Sequence, residues 1–202
     1  MRYPKLRELG EAVKALVAGP YTHPFPKRPS PAAHRFRGKQ VFDEDGCVGC
    51  GACAEVCPAR DITVTDDAET AKRTIVLRYD KCIFCGQCEA NCLTGEGIKF
   101  TQEYDLVTFD RDSAVTTIEK DLVLCEKCGA VVGARDHLLY LARKLGPKAY
   151  ANTSLMLAAS DQLVPVEEVA VAGEGEPPGR AHLVSVLCPR CRRAVLVAEQ
   201  GA

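Results

Sequence analysis

The chain has 202 residues, of which 47% are hydrophobic and 26% charged, and its formal net charge is −1. This length allows one or two small domains with their own cores, and the composition is that of an ordinary globular protein. The balanced charge excludes the strongly basic surface of nucleic-acid-binding proteins, so we expect no nucleic-acid partner. We find no secretory or twin-arginine signal and no apolar run near the roughly 20 residues of a membrane-spanning helix.

The first 40 residues predict a helix followed by an extended arm. Apolar residues recur at helical spacing up to position 18, with Pro4 near the start and Gly19-Pro20 at the end. These apolar residues are Leu6, Leu9, Val13, Leu16 and Val17. The helix is suited to cover the protein's own core, a partner or a membrane surface, and the sequence leaves this open. Residues 20–40 are rich in proline and basic side chains and too poor in apolar ones to form a core.

An internal repeat occupies residues 41–110. One copy begins at Asp45-Gly46-Cys47 and the other at Asp80-Lys81-Cys82, 35 residues later. Each copy predicts a short strand, a cysteine loop, a short helix and a second strand, with the second strands at 61–65 and 98–101. A further strand is predicted at 74–78. The two copies predict a domain with an internal pseudo-twofold axis.

Residues 111–202 form a third predicted region. Helical patterns occupy 136–145 and about 154–162, and the run GEGEPPGR at 173–180 predicts a loop. Two Cys-x-x-Cys pairs lie in this region, the second pair 63 residues after the first.

Twelve cysteines are the unusual feature of the composition. All of them lie in tight runs with gaps of two or three residues, which favours metal binding over long-range disulfide bonds. A secreted disulfide scaffold is the alternative, but such scaffolds are usually shorter. Free thiolates that bind metal indicate a reducing compartment.

The first two cysteine runs carry the bacterial two-cluster ferredoxin signature. The first run is Cys47, Cys50, Cys53 and Cys57, followed by Pro58, and the second is Cys82, Cys85, Cys88 and Cys92. In this motif three cysteines wrap one [4Fe–4S] cluster, and the fourth, on the following helix, binds the other cluster. We therefore assign Cys47, Cys50, Cys53 and Cys92 to the first cluster. The second cluster takes Cys82, Cys85, Cys88 and Cys57.

Two clusters held by eight thiolates indicate electron transfer. Each cluster is a one-electron site, and two in one small domain suit a relay. Zinc-only or structural cysteines are the alternative. Gly49 and Gly51 allow the backbone to approach the first cluster and donate N–H bonds to it. Apolar residues predicted to exclude water from the clusters are Ile62, Val64, Ile75, Val76, Ile83, Phe84 and Ile98.

The last four cysteines predict a separate mononuclear site. Cys125 and Cys128 lie between apolar segments at 122–124 and 130–132, and Cys188 and Cys191 lie between segments at 183–187 and 194–198. We interpret both pairs as strand–knuckle–strand units of a zinc-ribbon-like region, which suits one Zn²⁺ or one iron. A redox-active dithiol is a third interpretation.

No motif for catalysis occurs in the sequence. The chain has no phosphate-binding glycine loop, no HExxH and no nucleophile elbow, and its four histidines fall in no recognisable site. We predict an α+β protein with no catalytic residue of its own. Its domains are an N-terminal helix and docking arm (1–40), a two-cluster ferredoxin-like domain (41–110) and a C-terminal metal-binding region (111–202).

Several stretches resemble the two-cluster iron–sulfur proteins of the formate hydrogenlyase subunit 6 and hydrogenase-4 type, which are related to the two-cluster subunit of complex I. They are HRFRGK at 34–39, CIFCGQCE at 82–89 and QEYDL at 102–106. The resemblance implies an electron-carrying subunit of a membrane-associated [NiFe] hydrogenase, peripheral on the cytoplasmic side of the inner membrane. Its implied partners are the hydrogenase small and large subunits and an electron-input iron–sulfur subunit, with indirect attachment to the membrane arm.

Two other functions stay open at this point. A complex I type subunit would relay electrons towards quinone, and it is not expected to need the C-terminal cysteine pairs. A free ferredoxin with an appended zinc ribbon would act alone, and residues 1–40 would then be dispensable.

Overall fold

A computed structural model describes residues 5–160, 182 and 184–200. It divides into two compact units, Met1–Phe36 and Arg37–Ala202. The division of the chain at residues 40 and 110 stays a prediction. The predicted loop at 173–180 and the end of the predicted helix at 154–162 lie outside the described residues.

The first unit contains helix α1, Leu6–Ala18. The Glu8 carboxylate accepts a hydrogen bond from the backbone N–H of Lys5, which satisfies a free donor at the helix start. The helix ends at Gly19, whose φ is +74°. None of the residues of α1 is buried, and residues 19–36 form neither a helix nor a strand. The sequence therefore predicted this helix correctly.

The second unit contains the two cysteine repeats. Strands β1 (Gln40–Phe42) and β4 (Ile98–Phe100) pair antiparallel with Gln40 opposite Phe100. The first repeat continues with helix α2 (Ala52–Glu55) and strand β2 (Ile62–Asp67). The second begins after β3 (Lys72–Arg78) and contains helix α3 (Gln87–Ala90). The repeated order of elements matches the prediction.

A four-stranded antiparallel sheet joins the repeats to the rest of the chain. Its strand order is β2-β3-β5-β6, where β5 is Val115–Leu124 and β6 is Val131–Ala134. In the β3–β5 register Ile75 faces Ile118, and both are buried. These two residues belong to the core under the cluster motifs, together with Ile62, Leu77, Cys88 and Ile98. The C-terminal region therefore adds strands to the sheet of the repeat domain.

A 3-10 segment (Arg111–Ser113) precedes β5, and four helical segments follow β6 among the described residues. They are helix α4 (Arg135–Leu145), a 3-10 segment (Gly146–Ala151), helix α5 (Thr153–Ala159) and helix α6 (Pro189–Gln200). The Asn152 side chain caps α5 by accepting from the backbone N–H groups of Ser154 and Leu155. A second core forms here from Val123, Leu138, Ala142, Ala149, Leu157, Ala158 and Val186.

Candidate metal centres

Four cysteines line a first cavity between the two repeats. The loop after β1 and helix α2 supply Cys47, Cys50 and Cys53. The segment after α3 (Gln87–Ala90), in the second repeat, supplies Cys92. Phe42, Ile75 and Ile98 form apolar parts of the wall of this cavity. Apolar walls keep water away from a cluster and so help to set its reduction potential.

The other four cysteines of the two repeats line a second cavity. Cys82, Cys85 and Cys88 come from the second repeat, and Cys57 comes from the first. Each cavity thus combines three cysteines of one repeat with the fourth of the other. The crossed assignment requires this grouping, and the ligand set itself stays a prediction.

The backbone around both cavities repeats the same turns. Gly51 and Gly86, which precede α2 and α3, have φ of +78° and +86°. Gly49 has φ of +67°, and Phe84, the equivalent residue 35 positions later, has φ of +52°. The Phe84 N–H donates to Cys82 Sγ at 3.4 Å. A left-handed backbone at a residue other than glycine is unusual and is typical of functional sites.

The pKa values of cysteines in both cavities are raised, so a cationic group is needed to keep these thiols deprotonated. Burial raises the pKa of Cys53 and of Cys82 to about 12, and it raises that of Cys88 to about 11. Four thiolates in one cavity would repel one another without positive charge between them. Bound iron supplies that charge and deprotonates the thiols. The cysteines present therefore fit an iron–sulfur cluster in each cavity.

Three polar side chains contact the sulfurs, and sequence reasoning missed them. Gln40 is fully buried, and its Nε2 donates to Cys82 Sγ at 3.2 Å. Thr94 Oγ1 lies 3.5 Å from Cys92 Sγ. Asp61 is buried and contacts Cys57 Sγ. Gln40 and Asp61 are polar residues next to apolar strand segments of the cluster domain. That position is the sequence signal that could have identified them.

The predicted apolar shell is only partly correct. Ile62, Ile75 and Ile98 are buried in the core under the cluster motifs, with Val64 packed against it. Ile83 lines the second cavity, but it is itself 62% exposed and so lies outside this core.

The last four cysteines form a third group. The Sγ atoms of Cys125, Cys128, Cys188 and Cys191 all lie within 4.8 Å of one another. Cys128 Sγ and Cys188 Sγ are 3.7 Å apart. Four sulfurs at about 2.3 Å from one tetrahedral metal would be about 3.8 Å apart, so the spacing fits a single ion. Cys128 is exposed and the other three are buried.

Different elements hold the two pairs of this group. Cys125 and Cys128 form a knuckle between β5 and β6, as predicted. Cys188 directly precedes α6, and Cys191 lies in the first turn of that helix. The predicted strand at 194–198 is therefore wrong, because these residues are helical, and residues 184–187 form no strand either. The group combines a knuckle hairpin with a helix start, rather than the two knuckles of a zinc ribbon.

Backbone N–H groups stabilise thiolates in this group. Burial tends to raise the pKa of Cys125, but N–H bonds from Cys188, Cys128 and Lys127 outweigh it and lower the pKa to about 7. Burial and the neighbouring thiols raise the pKa of Cys191. A backbone pair between Glu126 and Val186 joins the knuckle to the second segment, with Glu126 N–H donating to Val186 O at 3.0 Å. The group can bind a divalent metal, and its identity as zinc or iron stays a prediction.

Comparison with known proteins identifies the family. A model described as a 4Fe-4S dicluster domain matches residues 34–96. Formate hydrogenlyase subunit 6 of Escherichia coli (strain K12) is 31% identical over 142 residues, which are 69% of this chain and 78% of that protein. NADH-quinone oxidoreductase subunit I 2 of Geobacter metallireducens is 32% identical over 129 residues, which are 59% of this chain and 97% of that protein. The chain belongs to this family of two-cluster iron–sulfur subunits. The dicluster domain carries two [4Fe–4S] clusters, which are therefore the cofactors of the repeat domain.

Two further similar proteins match shorter parts of the chain. F(420)H(2) dehydrogenase subunit I of Methanosarcina mazei is 37% identical over 59 residues, 29% of this chain and 33% of that protein. A chain in the structure of the membrane-bound sulfane sulfur reductase, an archaeal respiratory membrane complex, is 29% identical with a TM-score of 0.39. The match covers 56% of this chain and 61% of that one. Within the described residues, no helix combines the length and apolar character that crossing a bilayer requires.

Proposed function

We propose that this protein relays single electrons through two [4Fe–4S] clusters as a subunit of a membrane-associated oxidoreductase complex. The supporting observation is the pair of cavities, each lined by four cysteines drawn from both repeats. Two similar cavities in one small domain place the clusters close together, which suits transfer between them. The first cluster is held by Cys47, Cys50, Cys53 and Cys92, and the second by Cys82, Cys85, Cys88 and Cys57.

The complex that we favour is a [NiFe] hydrogenase of the formate hydrogenlyase type. In support, similarity to formate hydrogenlyase subunit 6 extends over 69% of this chain, against 59% for the quinone oxidoreductase relative. The proposed partners are the small and large hydrogenase subunits and an electron-input iron–sulfur subunit. The protein would lie on the cytoplasmic side of the membrane, and residues 1–40 would dock on a partner.

A complex I type subunit is the second candidate. The quinone oxidoreductase relative from Geobacter supports it, since 97% of that protein is aligned with this chain. The part of this chain outside that alignment is 41% (100 − 59) of its length. A complex I type subunit is not expected to need the C-terminal cysteine pairs, and their presence favours the hydrogenase assignment.

We also propose that Cys125, Cys128, Cys188 and Cys191 bind one structural Zn²⁺. The sulfur spacing of 3.7 Å supports a mononuclear site. Such a site would connect the β5–β6 hairpin to α6 and stabilise the segment that links the two cysteine pairs.

Anaerobic purification of the full chain from its native host tests these proposals. Metal analysis should give about eight irons and one zinc per chain. About nine irons without zinc would contradict the zinc assignment, and fewer than about four irons would contradict the relay. The co-purified proteins discriminate the two complexes, because a nickel-binding large subunit indicates hydrogenase. A stable monomer that reduces soluble acceptors freely would contradict both complexes.

A further inference from the structure

A partly buried lysine from the C-terminal sheet lies beside the first cysteine loop. The Lys120 side chain is 12% exposed, and its Nζ donates to the Glu44 carbonyl oxygen at 2.5 Å. The stem of the same side chain packs against the loop, because a Cβ built on Gly49 would lie 3.1 Å from its Cβ and Cγ. Strand β5 therefore places a positive charge against the loop that carries Cys47 and Cys50.

Lys120 also forms an ion pair with a carboxylate from helix α4. Asp136, at the start of α4, contacts Lys120 Nζ at 3.1 Å, and its side chain is 45% exposed. An exposed carboxylate is screened by water more strongly than a partly buried ammonium group.

The second cysteine loop has a different electrostatic environment. Its contacting cation is Arg37, which donates to the Cys85 carbonyl oxygen but is exposed to solvent. Its buried polar neighbours are the neutral amide of Gln40 and the carboxyl group of Asp61. No lysine or arginine is among the described residues that line either cavity; the difference is that Lys120 contacts the first loop, whereas the Asp61 carboxyl group lines the second cavity. The two clusters therefore sit in unequal fields.

We propose that Lys120 raises the reduction potential of the first cluster, so that strand β5, a member of the sheet, also tunes the relay. This inference rests on the proposed function, since it requires both clusters. One electron enters the cluster from the neighbouring cluster or a partner, no bond forms or breaks, and the reduced cluster with its thiolates carries one more negative charge. A nearby, partly buried cation stabilises that charge more than it stabilises the oxidised cluster.

Four variants of the full chain test this role by anaerobic redox titration monitored by electron paramagnetic resonance. Lys120→Gln removes the charge, and Lys120→Arg retains it. Asp136→Asn removes the counter-charge from an exposed position. Lys72→Gln is the matched control, because Lys72 is a lysine of the same sheet that pairs with Asp121 and is 47% exposed.

The shifts in midpoint potential expected for Lys120→Gln and Asp136→Asn have opposite signs. Lys120→Gln should make reduction of one cluster about tenfold less favourable, a shift of about 59 mV to more negative potential, and leave the other cluster nearly unchanged. Asp136→Asn should move the same midpoint to more positive potential. Lys120→Arg and Lys72→Gln should move neither midpoint by as much as half of that shift.

Two results would overturn the role of Lys120. One is an unchanged pair of midpoints in a Lys120→Gln variant that retains both clusters. The other is an equal shift in Lys120→Gln and Lys120→Arg, which would indicate a structural effect. If Lys120→Gln fails to bind the first cluster, an unchanged midpoint in Asp136→Asn contradicts the proposal. Absence of cluster signals from the unsubstituted chain would instead contradict the proposed function.

Discussion

Arg73 joins strand β3 to the first cysteine loop by donating from Nη1 to the Gly49 carbonyl oxygen at 2.7 Å. The same guanidinium holds Asp66 with two hydrogen bonds, Nε to Oδ1 at 2.6 Å and Nη2 to Oδ2 at 2.8 Å. The pairing with Arg73 lowers the pKa of Asp66 and keeps that carboxylate ionised at neutral pH. One side chain thus fixes the edge of the sheet and the loop together.

Replacing Arg73 should destabilise the protein more than replacing its ion-pair partner. Arg73→Met removes both the pair and the loop bond, and we expect it to lower the free energy of unfolding by about 2 kcal/mol. Asp66→Asn retains the Gly49 bond and should cost about 0.5–1 kcal/mol. Anaerobic urea unfolding at pH 7, followed by circular dichroism, measures both. An equal decrease in the free energy of unfolding in the two variants would show that the hydrogen bond from Arg73 to the Gly49 carbonyl oxygen does not stabilise the fold.

Close approach at Gly97 limits which residues fit under the first loop. A Cβ at this position would lie 2.9 Å from the Cys47 Cα and 3.1 Å from the Gly46 carbonyl oxygen. Gly97→Ala should therefore cost about 1–3 kcal/mol and reduce the occupancy of the first cluster. Gly133→Ala is the control, since its Cβ would meet Leu138 at an ordinary 3.8 Å. Iron content and urea unfolding should change in the first variant only.

The amide of Gln40 should raise the potential of the second cluster. Its N–H bond to Cys82 Sγ stabilises the additional charge of the reduced state, so Gln40→Leu should make that midpoint more negative. The loss of one hydrogen bond corresponds to about 1 kcal/mol, or about a fivefold change in the reduction equilibrium. Thr94→Val, beside Cys92, should move the other midpoint instead. Both variants moving the same midpoint would contradict the assignment of these side chains to different clusters.

Substitution of one C-terminal cysteine should abolish metal binding at the C-terminal site and leave both clusters in place. Cys191→Ser removes one of four sulfurs, and we expect a zinc content near zero with about eight irons retained. Losing the metal should cost at least about 3 kcal/mol, which lowers the melting temperature by about 6–12 °C in a chain of this size. A zinc chelator should reproduce this drop in the unsubstituted protein and have no effect on the variant.

Acidification should release the same metal, because protons compete with it for the four thiolates. The thiols of Cys128 and Cys191 have raised pKa values in the absence of metal, so these sulfurs take up protons readily as the pH falls. Zinc retention measured after dialysis at decreasing pH should therefore fall. A zinc content that does not change with pH would contradict a four-thiolate site.

Local patterns predicted much of this structure. The cysteine spacing, the short helices after each loop and the alternating strands are encoded within about 35 residues of sequence, and each occurs where expected. Helix α6 was mispredicted because Val195 and Val197 favour a strand. Pro189 at the first helical position was the stronger local signal, since proline is common at helix starts.

Long-range pairing could not be derived from the sequence. Ile75 pairs with Ile118 only because β5 returns to the edge of β3, and no local pattern specifies which strand it meets. The same placement brings Lys120 to the Glu44 carbonyl oxygen, 76 residues away in sequence. The left-handed backbone at Phe84 was not predicted, because residues other than glycine rarely adopt it. The equivalent residue of the first repeat, Gly49, is a glycine.

The crossing of ligands between the repeats is the central claim, and paired cysteine substitutions test it most directly. If Cys57 binds the second cluster, then Cys57→Ser with Cys85→Ser damages one cluster only, and about four irons remain in an intact [4Fe–4S] cluster. The matched pair Cys57→Ser with Cys50→Ser should damage both clusters and leave no intact one. Iron analysis and electron paramagnetic resonance of the reduced proteins measure this difference. The reverse result, with an intact cluster in the second pair and none in the first, would contradict the crossed arrangement.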